Sequence, residues 1–259
     1  MYETILYSSD SKICTIRLNR PDKRNAFNAQ LVNELKSGIS AADNDEEIKI
    51  IILKGEGEVF SAGADLAYLQ SMQNNSYEEN LADSKNLMEL YHLIYTLSKP
   101  VIAQIEGHAI AGGCGLVTVC DFAFAIPEAQ FGYTEVKIGF VPAIVMVFLL
   151  RKINERSAKE LLLSGKLINA QQAMVAGLIN DVVGKENINQ HVLEFANNLI
   201  TNCSRESLKA TKQMIAAVQE MKLEDALNYA AEVNAKARST EDCKHGIETF
   251  LAKKRPQWK

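Results

Sequence analysis

The feature that most constrains this chain is the run Ile48-Lys49-Ile50-Ile51-Ile52-Leu53-Lys54, which is almost continuously apolar. A strand with one wet face alternates, whereas a run of this kind reads as a strand covered on both faces, the situation inside a parallel sheet flanked by helices. The segment before it does alternate. Ile13, Thr15 and Arg17 fall on one side and Cys14, Ile16 and Leu18 on the other, predicting a half-buried strand over 12–18. Between the two, Val32, Leu35, Ile39 and Ala42 recur at helical spacing, predicting an amphipathic helix over about 29–42. Val101 to Ile105 behind Pro100, and the alternating Phe122, Phe124 and Ile126, read as further strands. Strands separated by helices predict an α/β core with parallel pairing.

Beyond residue 143 the pattern changes. The ranges 143–153, 156–163, 169–175, 187–200, 205–221, 223–236 and 241–253 all read as helices, and only 178–182 looks extended. No Gly/Ser/Pro linker separates the halves, so the helical tail is expected to pack on the core or on a neighbouring subunit. Composition narrows the function classes. Among 259 residues, 28 Lys and Arg face 32 Asp and Glu, a net charge of −4 that provides no footprint for general nucleic-acid binding. No leader-like apolar segment opens the chain, and the apolar stretch 140–150 is too short to span a bilayer, so a cytoplasmic protein is expected. The five cysteines form no C-x-x-C pair and the four histidines are scattered, which argues for reduced, buried thiols and against a metal site.

Three segments stand out chemically. Phe60-Ser61-Ala62-Gly63-Ala64-Asp65-Leu66 follows the apolar strand, and small residues around a glycine let a main-chain N–H approach a ligand closely. Asp65 itself reads as the cap of a following helix. Ala111-Gly112-Gly113-Cys114-Gly115-Leu116 opens a helix running to Cys120, whose first amides suit an anion or a developing oxyanion. Each segment alone equally fits an ordinary strand-to-helix turn. Neither is a dinucleotide or P-loop fingerprint, and no G-x-S-x-G elbow is present. The third segment, 130–142, places Glu135 among apolar and small residues. Desolvation there would raise its proton affinity toward general acid–base use, while the plain reading is exposure or a salt bridge to Lys137.

Together these pieces resemble the crotonase (enoyl-CoA hydratase/isomerase) superfamily along essentially the whole chain. The resemblance runs from Ile16-Arg17-Leu18-Asn19-Arg20-Pro21 and Asn25-Ala26-Phe27, through Phe60 to Leu66, Lys99 to Ala103, Ala111 to Asp121 and Phe131 to Pro142, to Phe250 and Lys253. It implies a spiral of repeated ββα units over 1–195 and a helical region over 196–259 that packs on the core and on neighbouring subunits, as a homotrimer or a hexamer built as a dimer of trimers. It implies an acyl-CoA thioester substrate, with coenzyme A part of that substrate and no separate cofactor. By position, the backbone N–H groups of Ala64 and Gly112 form the oxyanion hole. Coenzyme A runs along Arg24, Asn25 and Ala26 and over the turn containing Ala62, Asp65 and Leu66. Phe250 and Lys253 match positions that approach its adenine and phosphates, often from a neighbouring subunit.

Two departures qualify the resemblance. Hydratases of this type carry two glutamates, one matching Glu135 and the other falling at position 115, which here is Gly115. Typical members also carry a glycine-rich turn after Pro142, where this chain has Ala143-Ile144-Val145-Met146-Val147-Phe148, expected to narrow the acyl pocket. The Gly-Leu and Glu-Val-Lys-x-Gly-x-x-Pro-Ala pattern is similar to methylglutaconyl-CoA hydratase-like members, which puts hydration or dehydration first. Double-bond migration by Glu135 alone comes second; decarboxylation, thioester hydrolysis or CoA binding without turnover follows. Glu106 is the first outside candidate for a second acid, and His108 a weaker one. Glu78, Glu79 and Asp83 are expected on a mobile polar segment near the acyl pocket.

Overall fold

In a computed structural model describing residues 2–258, three strand pairs, each followed by helix, wind around a common core. A hairpin of β1 (Ile5–Asp10) and β2 (Ile13–Leu18) leads to α1 (Ala29–Asn44). The first unit then runs β3 (Ile50–Gly55), β4 (Val59–Ser61), α2 (Leu66–Ser71) and α3 (Tyr77–Thr96). The second is β5 (Val101–Ile105), β6 (His108–Ile110) and α4 (Gly112–Val119). The third is β7 (Phe122–Ala125), β8 (Gln130–Gly132) and, after a short 3-10 turn at Glu135–Ile138, α5 (Ala143–Lys152). There follow α6 (Glu155–Ser164), β9 (Ile168–Asn169), α7 (Ala170–Val175), β10 (Asp181–Val182), α8 (Ile188–Asn202), α9 (Arg205–Val218), α10 (Leu223–Ser239) and α11 (Glu241–Leu251).

The first strand of each unit joins a six-stranded sheet ordered β1-β2-β3-β5-β7-β10, parallel except for the β1–β2 hairpin. The second joins a four-stranded sheet ordered β4-β6-β8-β9, in which β9 alone is antiparallel. This alternation between sheets is the ββα spiral that the sequence implied. β3 explains its own apolarity, since Ile50, Ile51, Ile52 and Leu53 are all buried between the layers. On α1, Asn28 caps the Leu31 N–H at 2.9 Å while Leu31, Val32, Leu35, Ile39 and Ala42 form the stripe that faces the sheet. Each such fully buried Leu or Ile contributes about 1.5–3 kcal/mol.

Several expectations need correction. Strands β1, β4, β6 and β8 escape the periodicity argument because most span only three residues, too few for a pattern to register. In the second half β9 is a further extended piece besides the expected one at 178–182, of which β10 is the paired part. Glu78, Glu79 and Asp83 lie on α3, a 20-residue helix opened by a capping box between Ser76 and Glu79, rather than on a mobile segment. The expected division at residue 195 falls inside α8.

The tail is tied to the core at few points. Lys212, the buried residue of α9, donates from Nζ to the Lys99 carbonyl at 2.9 Å and to Asp121 Oδ2 at 2.6 Å. Helices α10 and α11 contain no buried residue, and Leu223, Leu227, Ile247, Phe250 and Leu251 are exposed on them. Among the described residues no helix is long and apolar enough to cross a membrane.

Candidate active site

The site forms where β4 and β6 end side by side. Past Ser61 the chain makes a one-residue parallel bridge, Phe27 with Ala64, in which the Phe27 N–H donates to the Gly63 carbonyl at 2.6 Å and the Asp65 N–H to the Phe27 carbonyl at 2.9 Å. In such a bridge the N–H of Ala64 points away from the partner strand. Gly63 has φ +85°, and a Cβ there would fall 2.8 Å from Ala111 Cβ and 3.2 Å from the Gly112 nitrogen. The absence of a side chain at 63 is therefore what lets the turn carrying Ala64 lie against the first turn of α4. Among the described residues neither the Ala64 nor the Gly112 amide donates to a backbone carbonyl. Two unspent N–H groups on adjoining segments, one at a helix N-terminus, can receive a carbonyl oxygen and stabilise charge developing on it.

Arg20 binds the neighbouring segments together. Its guanidinium donates to the Ala26 carbonyl and pairs with Asp65 Oδ2 at 3.0 Å in a partly buried ion pair. Asp65 also caps α2, accepting from the Ala67 N–H at 3.0 Å, as its position before the helix suggested. Burial alone would raise the Asp65 carboxyl, but the hydrogen bonds from Arg20, Tyr68 and Ala67 outweigh it and hold it below its usual range.

Of the residues expected along coenzyme A, Arg24 and Leu66 are exposed, Ala62 and Asp65 partly so, and Ala26 is buried. The Ala62 N–H donates to the Arg24 carbonyl at 3.0 Å, so the two expected stretches touch. The Asn25 side chain is turned inward. It is fully buried, with Nδ2 donating to the Glu56 and Val59 carbonyls and Oδ1 accepting from the Arg20 N–H, which leaves its side chain no group for a ligand. Phe250 and Lys253 sit at the end of α11, which packs on α10 and is linked by Asp242 to Ser204. Phe250 is 80% exposed.

Glu135 opens the short turn after β8. Its Oε2 is buried and has no hydrogen-bond partner, and desolvation raises its carboxyl above the usual range, opposed only by its own backbone N–H. Lys137 forms no ion pair with it. Nearby, Tyr91 and Tyr133 are fully buried; the Tyr91 hydroxyl donates to the Gly112 carbonyl at 2.7 Å, and Tyr133 shares a hydrogen bond with Thr118 at 2.6 Å. Glu106 cannot serve as the partner acid in this geometry, being bound to Lys54 at 3.0 Å and to Gln104. His108 is exposed and accepts from the Gln130 N–H at 3.2 Å. Among the described residues no cluster of three or more His, Cys, Asp or Glu could hold a metal ion. Two cavities lie away from the site, one lined by Lys49, Ser98 and Arg205, the other by Ser157, Glu160 and Gln172.

The sequence profile of the enoyl-CoA hydratase/isomerase family matches residues 8–259. The chain belongs to this family. A Thermus thermophilus protein, whose enoyl-CoA hydratase name is itself provisional, is 39% identical over 246 residues, covering 95% of this chain and 97% of that one. The 2,3-dehydroadipyl-CoA hydratase of Escherichia coli is 33% identical over 258 residues, 98% of each chain. The crystal structure of an enoyl-CoA hydratase from Shewanella pealeana superposes with TM-score 0.93 at 28% identity, covering 99% of this chain and 96% of that one.

A Cβ built on Gly115 would overlap Val145 Cγ1 on α5 and come within 3.0 Å of the Tyr91 hydroxyl. Gly115 and the apolar helix after Pro142, the two positions at which the resemblance is expected to break down, thus meet at one point. Tyr91 and the staple formed by Arg20 escaped the sequence argument. Arg20 was inside a quoted motif, but only folding shows that it reaches Asp65.

Proposed function

We propose that this chain is an enoyl-CoA hydratase, a hydro-lyase acting on 2-enoyl-CoA thioesters through a thioester enolate. The observation that carries this reading is Glu135, a carboxyl group with a buried, unpartnered oxygen, in a fold whose Ala64 and Gly112 amides are both free. In the forward direction the thioester carbonyl oxygen accepts from these two N–H groups. Glu135 as carboxylate takes a proton from water while the water oxygen bonds to the β-carbon, and the π electrons move onto the carbonyl oxygen. Glu135, now protonated, returns its proton to the α-carbon as the enolate collapses. The sum is addition of H and OH with the carboxylate regenerated, so one acid–base group balances the reaction without a second at position 115. An amide pair of this kind is worth about 10²–10³ in rate per donor, and a positioned acid–base group about 10²–10⁴.

Coenzyme A is assigned to Arg24, Ala26, Ala62, Asp65 and Leu66 through backbone and surface contacts, with Phe250 and Lys253 reaching its adenine and phosphates from a neighbouring subunit. The exposed apolar residues of α10 and α11 support a trimer or hexamer. No cofactor is required by this chemistry, and the cytoplasm is the proposed compartment.

Val145 favours a second reading. It fills the space over Gly115 with an apolar group and removes a place for water, which suits isomerisation by Glu135 alone. Incubating linear, methyl-branched and 3-methylglutaconyl 2-enoyl-CoA thioesters in ¹⁸O-labelled water, followed by mass spectrometry, separates the two. Hydration adds the label to product. Product without label, together with α- and γ-carbon exchange of solvent deuterium, would replace hydration by isomerisation.

A further inference from the structure

Tyr91 and Tyr133 are the largest fully buried side chains in the core, and the chemistry above does not use Tyr91. Its surroundings are unusual. Ala111, immediately before the proposed oxyanion-hole amide of Gly112, has φ +51° and ψ −124°, close to the first central position of a type II′ turn, where glycine is at home and a side chain is not. Something must hold the chain there, because the direction of the Gly112 N–H is set by the peptide plane between Ala111 and Gly112.

The hydrogen bonds show what does so. The plane before it is held by the Ala111 N–H donating to the Gly132 carbonyl at 2.7 Å. The Ala111–Gly112 plane itself is held at its carbonyl end, where the Ala111 oxygen accepts from the Gly115 N–H at 3.0 Å. The plane after it begins the hydrogen-bond ladder of α4, and its Gly112 carbonyl accepts in addition from the Tyr91 hydroxyl at 2.7 Å. Tyr91 is the one side chain in this set. Its hydroxyl also covers the Gly112 α-carbon, where a Cβ would meet it at 3.2 Å with the Phe27 ring at 3.4 Å beyond. The phenol is boxed in by α5, with Phe148 edge-on at 6.3 Å between centroids. Burial pushes its proton affinity well above normal, so it remains a neutral donor.

We propose that Tyr91 is a positioning residue for the oxyanion hole: by clamping the Gly112 carbonyl it holds the strained Ala111–Gly112 joint and aims the Gly112 N–H at the thioester oxygen. This rests on the assignment of that amide to the oxyanion hole. Tyr91 acts through the backbone and does not touch substrate.

Tyr91→Phe removes the hydroxyl and keeps the ring. The direct readout is the infrared carbonyl stretch of 1-¹³C-acetyl-CoA, a saturated thioester that cannot be hydrated, bound to wild type and variant. The wild type lowers the stretch relative to free acetyl-CoA, and Tyr91→Phe gives back at least half of that lowering. On whichever 2-enoyl-CoA is turned over, kcat falls about tenfold, in keeping with a misplacement of well under 1 Å. KM and the acid limb of the pH–rate profile stay where they were, a split that general damage to the core would not produce. A second variant addresses the joint itself. Adding Ala111→Gly to Tyr91→Phe removes the penalty on the strained conformation, so the stretch and kcat recover toward wild type. A wild-type stretch in Tyr91→Phe, or a double variant no better than the single one, overturns the clamp. An unlowered stretch in the wild type rejects the oxyanion hole, and the clamp with it.

Discussion

The side chain of Val145 occupies the space into which any side chain at position 115 would grow. Gly115 lies on α4 and Val145 on α5, and the two helices pack directly, so the small residue on one and the branched residue on the other form a single fitted contact.

Gly115→Glu, which would add a second carboxylate at the position where the resemblance implies one, therefore overpacks the core and costs about 1–3 kcal/mol of stability. Combining it with Val145→Ala removes the offending methyl groups and restores most of the loss. Thermal melts of the single and double variants check this; equal melting temperatures for both would show that the contact yields by other means.

Glu135→Gln removes the proposed acid–base group and lowers kcat by at least about 10²-fold. The same change affects stability with a definite sign. The folded carboxyl holds its proton more tightly than the unfolded one, whose usual value is 4.5, so its ionisation costs stability at pH values above that range and costs nothing below it. The variant melts higher than wild type at neutral pH, and the gain fades as the pH drops toward 4.5. Melting curves at several pH values measure it, and a gain that grows on acidification would contradict the desolvation.

Gly63→Ala introduces a side chain at φ +85° and drives it into Ala111 and the Gly112 amide. The backbone penalty is about 1–3 kcal/mol. Displacing one amide of the pair lowers turnover by about 10²–10³. Steady-state kinetics on a folded sample distinguishes this from simple unfolding, because coenzyme A itself still binds.

Arg20→Ala breaks the staple between Ala26 and Asp65. Loss of hydrogen bonds to a charged group costs about 1.5–3 kcal/mol at neutral pH. Asp65 keeps its charge more readily in the folded state, so the stability that Arg20 brings is present above the ordinary Asp value of 3.8 and disappears as the pH falls below it. Since the staple shapes the stretch assigned to coenzyme A, KM rises more than kcat falls. Urea titrations at pH 7 and pH 3, with kinetics at neutral pH, test both parts.

Long elements with a clear period were readable from the sequence. β3 and α1 announce themselves because their burial pattern spans enough residues to show, and the seven tail helices were placed within a few residues for the same reason. The second strand of each unit was not, because β4, β6 and β8 contribute three residues each and owe their existence to partners far along the chain. The site divides similarly. Glu135 and the two glycine-rich turns were visible as local oddities in composition. Arg20 and Tyr91 were not, since an arginine after a strand or a tyrosine in a helix carries no local signal and their partners lie at positions 65 and 112; Val145 stood in a bulky run that was noticed, but not its contact with position 115. Asn25 was named along coenzyme A only through the resemblance; its burial shows that its side-chain hydrogen bonds point inward.

The bond between Lys212 and Asp121 has a consequence for how this chain can be shortened. Asp121 also accepts from the Val101 N–H at 2.7 Å, so one carboxylate joins the start of β5, the turn after α4 and the tail. Removing everything after α8 would strip the cation from that carboxylate at the foot of the strand leading to the catalytic turns. A gene truncated there would lose more than a docking surface: at the start of β5, Asp121 would keep only the Lys152 ammonium on α5 as a nearby cation. The tail is therefore wired into the core by a charge, and a recombinant that keeps the core keeps this wiring only if it carries Lys212.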